Sequence, residues 1–274
     1  MKPKIIVVCG PTATGKSDKA VQIALEKNGE IISADSRQVY VGLDIGSGKI
    51  THEEMKGIPH YLLDVADPKE IFSVEQFIEL GKKAIQNILE KGKTPIICGG
   101  TGFYIDALIY NVSLPKIEPN KNLRKELESY SLEQLQKKLQ ELDEERYSSI
   151  DIKNPVRLIR AIEIAYQLGS VPPLKKNSPY EIEWVYLDFE DEILKERIYK
   201  RLIARIENGM LEEAKKLHEH GLSFERMKQL GLEYRYQAMY LLGEISYEEM
   251  IQLLHTKIWQ YAKRQRTWFK KYAK

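Results

Sequence analysis

Short apolar runs and amphipathic stretches alternate along the first hundred residues. Lys4 to Val8 (KIIVV) is a β-branched run closed by a glycine-rich turn, and Ser17 to Lys27 then places Ala20, Ile23 and Ala24 on one helical face. The alternation recurs. Strands are predicted at EIISAD (30–35), HYLLDV (60–65) and TPIICGG (94–100), with an amphipathic helix over Val74 to Lys91 whose apolar positions are Phe77, Ile78, Ala84, Ile85, Ile88 and Leu89. Short, fully apolar strands separated by helices predict a parallel sheet covered on both faces. The pattern changes after Asn111. Residues 114–119 are bounded by proline, one helix is predicted over Leu123 to Leu142 and another over Val156 to Tyr166, and Val171 to Pro179 reads as a proline-rich link. Strand character returns at WVYLDF (184–189), and beyond Glu190 the chain is nearly all helical, interrupted at Gly209, Gly221, Gly231 and Gly243. The expected organisation is an α/β core made of residues 1–112 and 183–274, with a helical C-terminal part, and a helical domain inserted at 113–182.

Composition narrows the class. The 274 residues are 43% hydrophobic and 30% charged, which excludes a disordered chain, and no run of about 18 apolar residues is present to cross a bilayer. No targeting segment is recognised at the start. Cys9 and Cys98 each end an apolar run, as reduced, buried strand residues do, and a cytoplasmic protein is expected. The charges total 42 Lys and Arg against 40 Asp and Glu, but the last 24 residues hold seven basic groups and no acid, leaving 35 against 40 in the preceding 250. A mildly acidic body with a basic end points toward a polyanionic partner. Lys263, Arg266, Lys270 and Lys274 recur at helical spacing beside a stripe of Tyr261, Trp268 and Tyr272. That pattern suits RNA contact, and equally a solvated helix whose aromatics pack on the body.

Gly10, Pro11, Thr12, Ala13, Thr14, Gly15, Lys16 and Ser17 (GPTATGKS) satisfy the phosphate-loop pattern GxxxxGK(S/T) between a predicted strand and a predicted helix. Glycines let backbone amides turn around an oxyanion, Lys16 adds a point charge, and the Ser17 hydroxyl suits Mg²⁺. The fold class expected is therefore α/β of the P-loop NTPase type, a parallel sheet flanked by helices with an inserted helical domain. The motif says that phosphate is bound and not which bond breaks. Asp35, after the second strand, falls at the carboxyl edge of such a sheet beside the phosphate loop, where it either binds a cation, accepts a proton or merely caps a turn. Thr101, in the GGTGFY turn after the fourth strand, falls on the same side, either donating into the crevice or marking a turn tightened by its glycines.

Together GPTATGKS, ISADSRQVYVGLDIGSGK (32–49), IPHYLLDVADP (58–68), CGGTGFYIDAL (98–108) and QYAKRQRTWF (260–269) resemble the bacterial tRNA dimethylallyltransferases, the tRNA isopentenyl transferase family, from about residue 5 to 270. The resemblance implies transfer of a dimethylallyl group from its diphosphate to the exocyclic amine of the adenosine 3′ of the tRNA anticodon, by a monomer that needs Mg²⁺. It implies Asp35 as the base, Lys16 and the loop amides on the diphosphate, Thr101 near the target adenine and Arg205 reaching the diphosphate. It implies tRNA contacts from Asp35, Ser36, Arg37, Gln38 and Thr101, from Arg124, from Val156, Arg157, Leu158, Ile159 and Arg160, and from Ala262, Lys263, Arg264, Gln265, Arg266, Thr267, Trp268 and Phe269. The chain departs from the family at Ser47, where threonine is usual, and at Trp259, where arginine is common. The rival expectations are a P-loop kinase of a nucleoside or other small molecule and a transferase acting on free adenine nucleotides, neither of which uses the basic end. A non-enzymatic RNA-binding module is a third, and Lys16 with Asp35 speaks against it.

Overall fold

A computed structural model describes residues 2–112, 115, 117–118, 120–172 and 177–273. The chain forms two compact units, one of Met1–Asn111 with Asn177–Lys274 and one of Val112–Lys176. The larger unit is built on five parallel strands: β1 (Lys4–Cys9), β2 (Gly29–Ser33), β3 (His60–Tyr61), β4 (Thr94–Gly99) and β5 (Glu181–Tyr186), in the order β3-β2-β4-β1-β5. Period-two side-chain alternation divides the core. Ile5, Val7, Cys9, Ile32 and Ile97 face helices α2 (Val74–Glu90) and α3 (Gly102–Ile109), while Ile6, Val8, Ile31 and Ile96 face α1 (Lys16–Lys27). Both cysteines are free and buried, and burial pushes each thiol up to about 12. Among the described residues no helix is long and apolar enough to cross a membrane.

Because all strands are parallel, the segments after β1, β2 and β4 emerge at one edge, and this is what brings distant motifs together. Three expectations shift in detail. The strand expected at 184–189 begins three residues earlier: β5 lies at the sheet edge with one neighbour, so it is half-buried and carries Glu181 and Glu183, the latter 2.9 Å from Lys4, instead of reading as an apolar run. The strand expected at 60–65 ends at Tyr61, since Leu62 and Asp64 adopt φ of 65° and 53°. The single helix expected over 123–142 is two.

Those two, α4 (Lys121–Glu128) and α5 (Leu132–Leu142), belong to the smaller unit with α6 (Glu144–Ser149) and α7 (Pro155–Leu168). Ser131 starts α5 with a reciprocal capping box, its hydroxyl accepting from Gln134 N and its own N–H donating to Gln134 Oε1 at 2.7 Å. The unit's core is Leu127, Leu135, Leu139, Leu158, Ala161 and Ile162. One carboxylate, Glu163, is fully buried there and accepts from Asn120 N, Arg124 and Arg160 at 2.6–3.0 Å. Burial pushes its carboxyl up, but the hydrogen bonds from Arg124 and Arg160 outweigh that and hold it below its ordinary value.

In the larger unit the C-terminal residues form α8 (Asp191–Glu207), α9 (Met210–Glu219), α10 (Phe224–Leu230), α11 (Leu232–Leu241), α12 (Tyr247–Phe269) and a 3-10 turn, Lys270–Tyr272. The end of α12 packs on the sheet: Phe269 is fully buried among β-strand side chains, and Tyr272 stacks on Trp184 with ring centres 3.6 Å apart.

A polar anchor pins the other end of the sheet. Glu30 on β2, with 2% of its side chain exposed, accepts from Tyr61 Oη (2.6 Å), Lys91 Nζ (3.0 Å) and Lys93 Nζ (2.8 Å). Burial works against the charge, yet the three donors bring its carboxyl down to about 2. A depressed folded-state pKa contributes stability that is present above the unfolded value of about 4.5 and is lost as pH falls toward 2. Replacing Glu30 by Gln is expected to lower stability at pH 7 by about 2 kcal/mol and to flatten the dependence between pH 4.5 and 2, as read by denaturant unfolding across that range. An equally steep wild-type and mutant profile contradicts it.

Candidate active site

The phosphate loop runs from β1 into α1. Gly15, at φ 80°, precedes the helix, and no side chain caps it, whereas Ser73, Ser131 and Ser246 cap α2, α5 and α12. The first amides of α1 are thus left for an anion, where the helix dipole also favours negative charge. Lys16 Nζ donates to Pro11 O at 2.6 Å, and Thr14 closes the loop onto the same carbonyl at 2.9 Å. Burial pushes the Lys16 ammonium down to about 8, and the charge of Arg201 pushes the same way.

Helix α8 lies against this loop and supplies the expected Arg205 together with Arg197 and Arg201, which sequence reasoning missed. Arg197 Nε donates to Ala13 O at 2.8 Å, Arg201 donates to the Thr12 hydroxyl, and Arg205 sits beside Gly46 O (3.5 Å) and Glu233 (3.7 Å). The i, i+4, i+8 spacing of Arg197, Arg201 and Arg205 was the available signal, since it puts all three on one helix face. Burial, and after it the Arg205 guanidinium, disfavours the charge of Arg201, so the cluster is an electrostatic demand for an anion. Gly48 abuts Arg205 so closely that a Cβ would lie 1.5 Å from Nη2.

Asp35 follows β2 as expected. Its Oδ1 accepts from Arg37 N (2.8 Å) and Gln38 N (3.3 Å), so it does cap a turn, while Oδ2 takes no hydrogen bond among the described residues. The carboxylate thus has one oxygen committed to the turn and one left for another partner. Thr101 Oγ1 accepts from Ser36 N at 3.1 Å, tying the β4–α3 turn to the Asp35 turn. Ser36 and Arg37 are half-buried, and Gln38 donates to Gly48 O at 3.1 Å. Gln265 on α12 joins these segments: its Oε1 accepts from Thr12 N (2.8 Å) and its Nε2 donates to Gly100 O (2.9 Å). A Cβ at Gly100 would meet Gln265 Nε2 at 2.2 Å, so only glycine admits the clamp.

These groups line one cleft of about 860 Å³, which includes Thr12 to Ser17, Asp35, Gln38, Arg197, Arg201, Arg205, Tyr261 and Gln265. Tyr261 was expected only as part of an aromatic stripe, and burial pushes its hydroxyl up to about 12, so it enters the cleft as a neutral donor. A neighbouring hollow of about 900 Å³ shares Asp44, Ile45 and Asn208 with this cleft. Its lining sets Asp44, Asp64, Asp67, Glu212 and Glu213 against Lys69 and Lys216, a net acidic surface that disfavours a polyphosphate.

Several residues expected to touch RNA are committed to the protein instead. Leu158, Ala262 and Phe269 are fully buried core and Gln265 is 5% exposed, because helical periodicity turns every third or fourth residue of those segments inward. Arg124 and Arg160 neutralise Glu163. Arg266 pairs with Asp188 and Asp191, and Trp268 packs against Gly102. Ile159 is half-buried, whereas Val156, Arg157, Lys263, Arg264 and Thr267 are exposed. Trp259 is ringed by Lys195, Lys263 and Arg266, at 5.1–6.0 Å from its centre.

Comparison with known proteins finds the family model "IPP transferase" matching residues 38–272. The chain is 43% identical over 272 residues to tRNA dimethylallyltransferase 2 of Shewanella sediminis, covering 98% of this chain and 90% of that one. It is similar to the crystal structure of the full-length tRNA isopentenylpyrophosphate transferase of Bacillus halodurans, with a TM-score of 0.73, 39% identity and 98% and 87% of the two chains covered. A eukaryotic dimethylallyltransferase crystallised acting on tRNA matches with a TM-score of 0.83 and 28% identity, over 97% of this chain and 70% of the other.

The position of Lys16 sets a pH test. With its ammonium pushed down to about 8 in the free protein, binding of inorganic diphosphate, which favours the charged form, must take up a proton above that pH. Affinity measured by calorimetry is expected to be level below pH 7 and to fall about tenfold per pH unit above 8, with buffer-dependent proton uptake. The Lys16→Ala variant should bind more weakly and lose that slope, and a slope unchanged in the variant would rule Lys16 out.

Proposed function

The chain belongs to the IPP transferase family, and on that premise we propose that it transfers the dimethylallyl group of dimethylallyl diphosphate to the exocyclic amine of the adenosine 3′-adjacent to the tRNA anticodon, releasing diphosphate. The observation that carries this reading is the convergence in one cleft of an uncapped phosphate loop, the arginines of α8 and the Asp35 carboxylate. A leaving group with growing negative charge and a nucleophile that must shed a proton need these two halves side by side.

The amine nitrogen's lone pair forms the new bond to the allylic carbon as the carbon–oxygen bond breaks, and that bond's electrons leave on the diphosphate. Lys16, Arg197, Arg201 and Arg205 stabilise the leaving charge, and the amine's proton passes to Asp35 Oδ2. A carboxylate is a weak base for such a proton, so most of the rate acceleration comes from orientation and leaving-group stabilisation. Thr101, hydrogen-bonded to Ser36 N, fixes the wall against which the base is seated. The target adenine reaches Asp35 by leaving the anticodon-loop stack, which costs about a few kcal/mol.

The donor set fits Mg²⁺. The exposed Ser17 hydroxyl and the Asp35 carboxylate line the same cleft, and among the described residues no cluster of three or more His, Cys, Asp or Glu forms a dedicated metal cage. Mg²⁺ takes few protein ligands and completes its shell with water and phosphate oxygens. When bound at Ser17 it supplies further neutralisation of the diphosphate.

For RNA contacts we assign the exposed Lys263, Arg264 and Thr267 of α12 and, in the smaller unit, Val156 and Arg157. On this reading the enzyme works as a monomer in the cytoplasm.

The direct test mixes the protein with tRNA and labelled dimethylallyl diphosphate, in parallel with labelled ATP and nucleosides. Prenyl label is expected in tRNA, and label moving from ATP would overturn the assignment. Asp35→Asn should lower transfer by about a hundredfold or more while diphosphate and tRNA affinities stay within about twofold. A variant turning over at the wild-type rate would exclude Asp35 as the base. For RNA binding, Lys263→Ala with Arg264→Ala should reduce the salt slope of tRNA affinity by roughly 0.7–0.9 for each phosphate no longer neutralised. Arg266→Ala, which breaks the Asp188 and Asp191 pairs, should lower Tm with a smaller effect on that slope, and the opposite ranking would return Arg266 to the RNA surface.

A further inference from the structure

Glu213 on α9 lies outside the catalytic cleft, yet it is among the most heavily used carboxylates in the chain. Its Oε2 accepts from the backbone N–H of Asp44 (3.0 Å) and Ile45 (2.6 Å), and its Oε1 accepts from Gly46 N (3.0 Å) and the Tyr234 hydroxyl (2.8 Å). Three consecutive amides turned toward one carboxylate form an anion-binding nest, and the Glu213 carboxylate satisfies all three. The Tyr234 side chain is fully buried, and it meets Gly46 so closely that a Cβ there would lie 2.8 Å from its hydroxyl.

Both arms of this arrangement end on Arg205. Along the loop, Gly46 presents its carbonyl to Arg205 Nη1 at 3.5 Å, and Gly48 leaves the space that the guanidinium fills. Through α11, Tyr234 fixes its neighbour Glu233, whose Oε1 is 3.7 Å from the same nitrogen. We propose that Glu213 is a positioning residue for Arg205, setting through the Asp44–Gly48 segment and Tyr234 the direction in which that guanidinium faces the diphosphate. The proposal rests on the reading of Arg205 as a diphosphate contact.

The physical need is plain. A guanidinium on a long side chain has several staggered rotamers and five donors, and left to itself it turns to water or closes fully onto Glu233. Burial pushes the Glu233 carboxyl up, which weakens its competition for Arg205, but that helps only if the guanidinium is already aimed. Packing against Gly48 and the Gly46 carbonyl provides the aim, and both depend on the Glu213 nest.

The test uses inorganic diphosphate as the probe, by calorimetry, with steady-state kinetics on both substrates. Glu213→Gln keeps the size but loses an acceptor oxygen and places an N–H against the nest. It is expected to weaken diphosphate binding about tenfold and to raise KM for dimethylallyl diphosphate in step, the loss one charge-assisted hydrogen bond carries, while KM for tRNA stays within about twofold. In an Arg205→Ala background the same substitution should cost no more than about twofold, because the two act as one unit. Tyr234→Phe, which removes a single hydroxyl, should weaken diphosphate binding about threefold and serves if Glu213→Gln does not fold. Additive losses in the double variant, or a folded Glu213→Gln or Tyr234→Phe binding diphosphate like wild type, would overturn the proposal. If Arg205→Ala alone leaves diphosphate affinity intact, the assignment of Arg205 is what fails, and that variant by itself separates the two cases.

Discussion

One buried amide sets the spacing of the reactive segments. Gln265 ties Thr12 of the phosphate loop to Gly100 after β4, at 2.8 and 2.9 Å, and a polar pair that is buried is costly to leave unmade. The sheet fixes where β1 and β4 end, but the loops beyond are held by side chains. Gln265 can do this because Ala262 and Phe269, one turn to either side, are sunk into the core. The absence of a side chain at Gly100 is the matching requirement. Helix α12 is thus a structural strut for the active site before it is anything else.

The basic residues divide by the kind of partner they have. Around the phosphate loop, Lys16 and Arg197 donate to backbone carbonyls and Arg201 to a hydroxyl. Dipoles orient these groups without neutralising them, so their charge remains for the diphosphate that the proposed reaction releases. Elsewhere cations meet carboxylates: Arg266 with Asp188 and Asp191, Lys271 with Asp106, Arg124 and Arg160 with Glu163. Arg205 stands between the two groups, facing both the Gly46 carbonyl and Glu233. The basic residues of the C-terminal segment accordingly divide between those that hold the fold and those, Lys263 and Arg264 among them, left exposed.

Local signals were legible where the chemistry is local. The β1 and β4 runs, the phosphate loop and the amphipathic helix α2 follow from composition and spacing over fewer than twenty residues. The edge strand β5 was displaced because its burial is one-sided, and the break between α4 and α5 was missed because Ser131 and Gln134 look like ordinary surface residues inside a leucine pattern. Asp35 lies after β2, where its place in the chain put it, while Arg197 and Arg201 stayed hidden in a helix that mixes charges of both signs.

By itself the sequence determined the parallel α/β core, the anion-binding loop and, through its strings of family-specific residues, the chemistry of prenyl transfer to tRNA. These depend on short-range periodicity and on residues adjacent in the chain. Which cations serve the site, and which serve the fold, was decided only in three dimensions. Arg266 and Lys263 are near neighbours in one basic run, yet Arg266 ends on the carboxylates of Asp188 and Asp191 and Lys263 is exposed. The reason is electrostatic: a charge is claimed by whichever counter-charge the fold brings within a few ångströms, and that distance is set by packing between segments far apart in sequence.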